Sequence, residues 1–359
     1  MKVALVYDRV NKWGGAERVL LTLHEIFPLA PLFTSVCNIQ KAKWASTFPQ
    51  IFCSFLQKIP FAKDNHEYLP FLMPLAFESF NFDDYDLVIS VTSEAAKGII
   101  TKPSTKHICY CLTPTRYLWS GYKLYFKSKL LKFLARPVVN YLKKWDRIAA
   151  QRPDVMIGIS NAVCKRIEKY YKRKANLIFP PVNLDIKSKE IKKKEDYFLV
   201  VGRLVKYKRV DLVVRVFNKL GFPLVIVGEG KEEKKLKAMA STNISFIKKL
   251  TDDELINYYK KCRAVIFAQE EDFGLVAAEA QACGTPVIAY KKGGIKDIVI
   301  DGKTGIFFDK QTEDSLESAL LKFEKVNFNQ SFIMGQGGKF TKERFKAELS
   351  RIIKRYVGK

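Results

Sequence analysis

The chain has 359 residues, of which 48% are hydrophobic, and a formal net charge of +25. That length and apolar share suffice for two ordinary α/β cores and exclude a disordered chain. The cation excess attracts polyanions, so phosphate-rich substrates, anionic membranes and nucleic acid are the partner classes to weigh.

The first apolar run, residues 2–7, reads as a buried strand. Met1-Lys2-Val3 enters it directly, without a leader, and no apolar run approaches the roughly 18 to 20 residues that span a bilayer. The expectation is a cytoplasmic protein. After a polar loop, residues 14–27 place Val19, Leu20, Leu23, Ile26 and Phe27 at helical spacing. Strand-like runs follow at 32–36, 87–91, 107–112, 155–159 and 176–179, with Ser160 as the N-cap of a helix through Tyr171. Residues 186–196 turn abruptly polar and charged, which marks a linker or domain edge. Strand-like runs then resume at 197–202, 224–228, 244–247, 264–268 and 286–290, with helical stretches between them. Residues 341–356 form an amphipathic helix with Phe345, Leu349, Ile352 and Ile353 on one face. Two βαβ series predict two doubly wound parallel sheets, over 1–186 and 187–340, with 341–359 packing back on the domains.

Cysteines at 37, 53, 109, 111, 164, 262 and 283 form no Cys-x-x-Cys pair, and His24, His66 and His107 have no ligand spacing. Neither a disulfide framework nor a metal site is expected. No helix-turn-helix, zinc-finger or RNA-binding aromatic signature accompanies the charge, so nucleic acid is not expected as a partner.

In open α/β sheets ligands sit beyond the carboxyl ends of strands, so the loops after Tyr7, Gly202 and Ala268 are the places to look. The first ends in Gly14-Gly15 at a helix start, where bare backbone N–H groups can approach an anion; a flexible turn explains the same pair. Glu17 beside them suits the helix dipole. The second loop, Gly202-Arg203-Leu204-Val205-Lys206-Tyr207-Lys208-Arg209, sets four cations between a strand and a helix. Arg203 and Lys208 suit a diphosphate, whereas Lys206 and Arg209 are expected to face water. The third loop runs Glu270-Glu271-Asp272-Phe273-Gly274-Leu275 and continues to Glu279. Glu279 is read two helical turns after Glu271, so that both carboxylates face one cleft and accept hydrogen bonds from sugar and ribose hydroxyls.

Glu271-x7-Glu279 with its Phe-Gly-Leu centre, followed by Ala280-Gln281-Ala282-Cys283-Gly284-Thr285-Pro286, resembles the signature of family 4 glycosyltransferases. Gly14-Gly15-Ala16-Glu17-Arg18, Pro180-Pro181-Val182-Asn183, Gly202-Arg203-Leu204, Lys208-Arg209-Val210-Asp211 and Gly228-Glu229-Gly230 agree in order. The resemblance implies a GT-B architecture: an α/β fold of two Rossmann-like domains facing across a cleft, the N-terminal one for the acceptor and the C-terminal one for the nucleotide-sugar donor. It implies that Arg203 and Lys208 hold the donor diphosphate, Glu279 the ribose, and Glu271 the transferred sugar. Backbone N–H groups of Phe273, Gly274 and Leu275 complete that site, Gly14 and Gly15 approach it, and the base lies beside Phe246-Ile247-Lys248-Lys249-Leu250. The segment Tyr110 to Trp119 resembles the family's Tyr-x-His-Thr-Pro-x-Arg-Tyr-x-Trp stretch, with Leu112 at the histidine position and Arg116 and Trp119 as acceptor-side contacts. His107 falls at the end of a strand and does not replace that histidine.

The implied activity is retaining transfer of a sugar, with mannose favoured, from a GDP- or UDP-sugar to a glycan or lipid-linked acceptor. No further cofactor and no metal is implied. A nucleotide-sugar epimerase or phosphorylase of the same fold and a non-enzymatic polyanion-binding protein are the alternatives. Residues 122–147 mix Tyr122, Leu124, Tyr125, Phe126, Leu130, Leu131, Phe133 and Leu134 with Lys123, Lys127, Lys129, Lys132 and Arg136, and Asp146 is their only acid. That is the composition of a basic interfacial helix on an anionic membrane, and equally of a solvated helix packed on its domain.

Overall fold

The structure is a computed structural model and describes residues 1–122, 128–182 and 193–357, with the side chains of 129–132 outside the description. The chain divides into two compact units, Met1–Pro181 with Phe345–Lys359, and Val182–Arg344.

In the first unit, strands β1 (Val3–Tyr7), β2 (Leu32–Thr34), β3 (Ile51–Cys53), β4 (Leu87–Thr92), β5 (Lys106–Cys111), β6 (Val155–Gly158) and β7 (Asn176–Leu177) form a sheet in the order β3-β2-β1-β4-β5-β6-β7. Every pairing is parallel. Val3 to Tyr7 and Leu87 to Thr92 are buried throughout, as strands covered on both faces require. The order reverses between β1 and β4. Ser160 caps the helix Asn161–Tyr171 by accepting the Val163 N–H at 3.1 Å. The terminal helix Lys342–Val357 buries Phe345, Leu349 and Ile353, and Phe345 meets Tyr110 edge-on at 5.6 Å.

The second unit contains β8 (Phe198–Val201), β9 (Leu224–Val227), β10 (Ile244–Ile247), β11 (Val265–Phe267), β12 (Val287–Tyr290) and β13 (Gly305–Phe308), in the order β10-β9-β8-β11-β12-β13. All of these pairings are parallel too. The order reverses between β8 and β11, which makes that junction the topological switch point. The helix Val210–Leu220 buries Val213, Val216 and Phe217 in a core with Phe198, Ile226, Ile266 and Ile288.

Two strands, β3 and β13, lie outside the runs expected from sequence. Asp252 and Asp253 occupy the first turn of the helix Asp252–Lys261, while the cap is Thr251, which forms a capping box with Glu254. Part of the charged stretch 186–196 falls outside the described residues. Its end is not simply solvated: the Lys194 ammonium donates to the Lys260 carbonyl at 3.0 Å and to Thr285 Oγ1 at 2.7 Å.

Candidate functional site

At the switch point of the second unit, the loops after β8 and β11 bring Lys208 and Glu271 into direct contact. Lys208 Nζ donates to Glu271 Oε1, with side-chain exposures of 11% and 22%. Glycines set this geometry. Gly202 adopts φ +146°, and a Cβ there would lie 3.8 Å from Lys208 Nζ, so the backbone turns out of β8 directly under the lysine. Glu271 is held from the other side by Gly293 and Gly294: Glu271 forms a parallel bridge with Gly293, and its carbonyl accepts the Gly294 N–H at 2.9 Å. A Cβ on Gly293 would overlap that carbonyl oxygen. Lys292 pairs with Glu270 at 3.2 Å and ties the two loops again.

The two carboxylates do not share a helix as expected. Glu271 lies in the loop, and the helix Leu275–Ala282 starts only after Gly274, whose φ of +116° breaks the run. Glu279 sits within that helix, 2% exposed, and accepts the Tyr259 hydroxyl at 3.0 Å. Phe273 is buried against Phe340, with ring centroids 5.4 Å apart. Gly274 and Leu275 therefore open a helix N-terminus beside Glu271, where the first-turn N–H groups and the helix dipole favour an anion.

Arg203 is exposed just beyond β8 and lies 3.3 Å from the Tyr207 hydroxyl. Arg209 does not simply face water. It adopts φ +55° and reaches the Gln311 side chain at 3.3 Å, while Gln311 donates to the Ala268 carbonyl at 2.7 Å. Arg209 thus braces the loops; Lys206 is exposed as expected, as is Arg203, while Lys208 is turned onto Glu271. Lys248 follows the edge strand β10 and is exposed.

Sequence reasoning did not single out Tyr259, Gly293, Gly294 or Gln311. A Gly-Gly pair some twenty residues beyond an acidic loop was a readable signal of close backbone approach. Nothing marked Tyr259 apart from a core aromatic.

Gly14 and Gly15 lie in the first unit, at the start of the helix Gly15–Ile26. Glu17 sits in the first turn of that helix, where the dipole favours a carboxylate, and it is also buried and accepts the Tyr7 hydroxyl at 2.7 Å. Beyond β1, buried Asp8 accepts Thr92 Oγ1 at 2.9 Å and the N–H groups of Ser93, Ala95 and Ala96 at 2.6, 3.0 and 2.9 Å. Arg9 pairs with Glu94 at 3.1 Å, and Tyr117 donates to the same carboxylate at 3.1 Å. Burial pushes the Glu94 carboxyl above its ordinary range, with the Arg9 guanidinium pulling against it.

Leu112, just past β5, is half-buried, and its N–H donates to the Thr92 carbonyl at 2.7 Å. Neither His66 nor His107 offers a charged imidazole in its place. Burial, then nearby cations, pushes both down to about 3. His107 lies inside β5 and bonds Ser90 at 2.8 Å. Trp119 donates to Asp146 at 2.6 Å, stacks on Tyr170 at 5.1 Å and carries the Arg147 guanidinium 4.9 Å from its ring. It therefore anchors this unit internally.

Residues 182–339 match the family described as glycosyl transferases group 1. An uncharacterized glycosyltransferase of Methanocaldococcus jannaschii is 31% identical over 209 residues, 56% of this chain and 58% of that protein. A D-inositol 3-phosphate glycosyltransferase of Acidothermus cellulolyticus is 35% identical over 131 residues, 31% of this chain and 29% of that protein. The chain thus spans between about a third and three fifths of these curated relatives. Among solved structures, a sucrose-phosphate synthase from Thermosynechococcus elongatus superposes with a TM-score of 0.73 at 16% identity, covering 99% of both chains. Anabaena HepE in complex with UDP-glucose gives 0.69 at 15% identity, covering 99% of this chain and 100% of that one. The fold is that of the GT-B glycosyltransferases. The Lys208–Glu271 pair and Gly274 lie within the residues that match this family.

Proposed function

We propose that this chain is a retaining glycosyltransferase that moves a hexose from a UDP- or GDP-sugar to a hydroxyl of a glycan or lipid-linked acceptor. One observation carries the reading: an ammonium and a carboxylate meet at the switch point of the second unit, within the residues that match glycosyl transferases group 1, beside a glycine-opened helix N-terminus. A cation and a helix end suit a diphosphate, and a carboxylate beside them suits sugar hydroxyls.

In this scheme Arg203, Lys208 and the N–H groups at Phe273, Gly274 and Leu275 hold the diphosphate. Glu271 orients the sugar, Glu279 the ribose, and the backbone beside Lys248 the base. Tyr259 fixes the Glu279 carboxylate by occupying one of its oxygens. The acceptor oxygen attacks the anomeric carbon on the face the leaving group departs from. The bond from that carbon to the diphosphate oxygen breaks, and the acceptor proton passes to the diphosphate. Lys208 and the helix end stabilise the charge that accumulates there, so no metal ion is needed for that balance. Mannose is favoured by the motif resemblance, whereas the Anabaena neighbour was solved with UDP-glucose.

The test is release of nucleotide diphosphate from GDP-mannose and UDP-glucose, with and without a lipid-linked oligosaccharide acceptor, in EDTA. Acceptor-dependent release that survives EDTA is expected. Loss restored only by magnesium or manganese contradicts the metal-free scheme, and release of an epimerised sugar without acceptor favours an epimerase.

A further inference from the structure

Two lysine-rich stretches of the chain are described only in part: residues 123–127 and the side chains of 129–132 fall outside the described residues in the first, and residues 183–192 in the second. From residue 193 onward the second is packed rather than solvated. Lys194 is half-buried between exposed neighbours, Lys193 and Glu195. Its ammonium donates to the Lys260 carbonyl at 3.0 Å and to Thr285 Oγ1 at 2.7 Å, two uncharged acceptors. Burial pushes this ammonium below its ordinary range.

Lys194 reaches the meeting point of two helix ends. An α-helix leaves its last four carbonyls without partners of its own, and each of those in Asp252–Lys261 finds a donor here. The Tyr258 carbonyl accepts the Cys262 N–H at 3.0 Å and the Tyr197 hydroxyl at 3.1 Å. The Tyr259 carbonyl accepts the Thr285 hydroxyl, that of Lys260 accepts Lys194, and that of Lys261 accepts the Glu195 N–H at 2.7 Å. Thr285 belongs to the end of the other helix, Leu275–Ala282, because its N–H donates to the Ala280 carbonyl at 2.9 Å. Its one hydroxyl proton goes to Tyr259, so toward Lys194 the same oxygen accepts. A cation at two helix carboxyl ends faces the negative ends of both dipoles, which offsets the burial of an ammonium against uncharged acceptors.

The same two helices are tied once more where the Tyr259 hydroxyl donates to Glu279 at 3.0 Å. Glu279 is 2% exposed, so packing and this bond set the direction of its carboxylate. Contacts therefore run without a break from Lys194 to Thr285, from Thr285 to the Tyr259 backbone, and from the Tyr259 hydroxyl to Glu279. We infer that Lys194 is a positioning residue for the Glu279 carboxylate, given that Glu279 takes the ribose hydroxyls as proposed above. By seating the ends of the two helices on each other, it holds Tyr259 where its hydroxyl aims that carboxylate. A cap that served only the helix would stabilise Asp252–Lys261 and leave nucleotide affinity alone.

The experiment compares wild type, Lys194→Met, Tyr259→Phe and the double variant by calorimetric titration of UDP and GDP, by initial rates with the matching sugar donors, and by hydrogen exchange of residues 252–261 and 275–285. Lys194→Met is expected to weaken binding of the preferred nucleotide roughly three- to tenfold, the effect of one hydrogen bond lost from the path. The double variant should fall within about twofold of the weaker single variant, because contacts in series are not additive. Donor KM should rise while kcat stays within about twofold, the mark of binding lost equally from ground and transition states. Exchange should quicken in both helices with no nucleotide present, as their shared end is loosened. Lys194→Arg, which keeps a cation at the helix ends, should restore most of the affinity, and Lys194→Gln replaces Lys194→Met if the latter does not fold. Wild type that binds neither UDP nor GDP, with exchange still quickened in Lys194→Met, would overturn the ribose assignment and this role together. A folded Lys194→Met that binds nucleotide like wild type, unchanged exchange, or fully multiplicative losses in the double variant would overturn the role of Lys194 alone.

Discussion

The two units share one topology and use the carboxyl edges of their sheets in opposite ways. In the first, the loop after β1 places Asp8 under the Thr92 hydroxyl at the end of β4 and three N–H groups of the turn that follows, and Arg9, Glu94 and Tyr117 close on one another. Deeper in that unit Lys97 is enclosed with Asp146. In the second, the loop after β8 leaves Arg203 exposed, while Lys208 meets Glu271 with exposures of 11% and 22%, much like the 18% and 10% of Arg9 and Glu94. A switch point is therefore only an opportunity. What separates the two edges is the exposed Arg203 of the second unit against the enclosed Lys97–Asp146 pair of the first, and it is at the second that we propose the anion site.

The largest expected effect breaks the saturated side of this contrast. Lys97→Met removes one member of an ion pair whose partners are both 1% exposed and leaves the Asp146 carboxylate buried without its cation. Loss of about 3 to 5 kcal/mol of unfolding free energy is expected, because the remaining charge keeps its desolvation penalty. Urea unfolding measures it; a change under about 1 kcal/mol would show that the network is not as closed as its geometry indicates.

Next in size is Lys208→Ala on the presented side. Transfer should fall on the order of a hundred- to a thousandfold, with weaker binding of the nucleotide diphosphate as well, since the ammonium opposes charge that grows as the glycosidic bond breaks. Some stability should be lost as well, less than for Lys97→Met, because Glu271 loses its cation but is itself 22% exposed. Initial rates beside thermal melting separate the two regions: a destabilised but fully active variant would reverse their roles.

The smallest effect sharpens the comparison inside the site. Tyr259→Phe removes only the hydroxyl that holds Glu279. Donor affinity is expected to drop by roughly three- to tenfold, the measure of one hydrogen bond of about 1 kcal/mol. An effect on free sugar binding without an effect on nucleotide binding would move Glu279 away from the ribose.

Much of this was legible in the chain. Runs such as Val3 to Tyr7 and Leu224 to Val227 are buried strands with turn residues at their ends, and their alternation with helices dictates two parallel sheets. Strand β13 escaped notice because it begins with Gly305, which reads as a turn; in the fold a Cβ there would overlap the Val287 carbonyl oxygen, so the glycine serves strand approach. The short edge strand β3 is only half-buried and has no alternation to reveal it. Lys208 and Glu271 were each found from their loops. Their contact was not, because 63 residues separate them and only the order of β8 beside β11 brings the loops together. Reading Glu271 onto the same helix as Glu279 failed at Gly274, whose positive φ is a property of the backbone that spacing alone does not disclose.

The most direct test of the central claim is calorimetric titration of UDP and GDP into wild type and Glu271→Gln. Since Glu271 pairs with Lys208 and is assigned to the sugar, neutralising it should leave the affinity for the preferred nucleotide diphosphate unchanged or raise it by a few-fold, as the ammonium is freed from its partner. Loss of nucleotide binding in Glu271→Gln, with the variant still folded, would contradict the assignment of that pair.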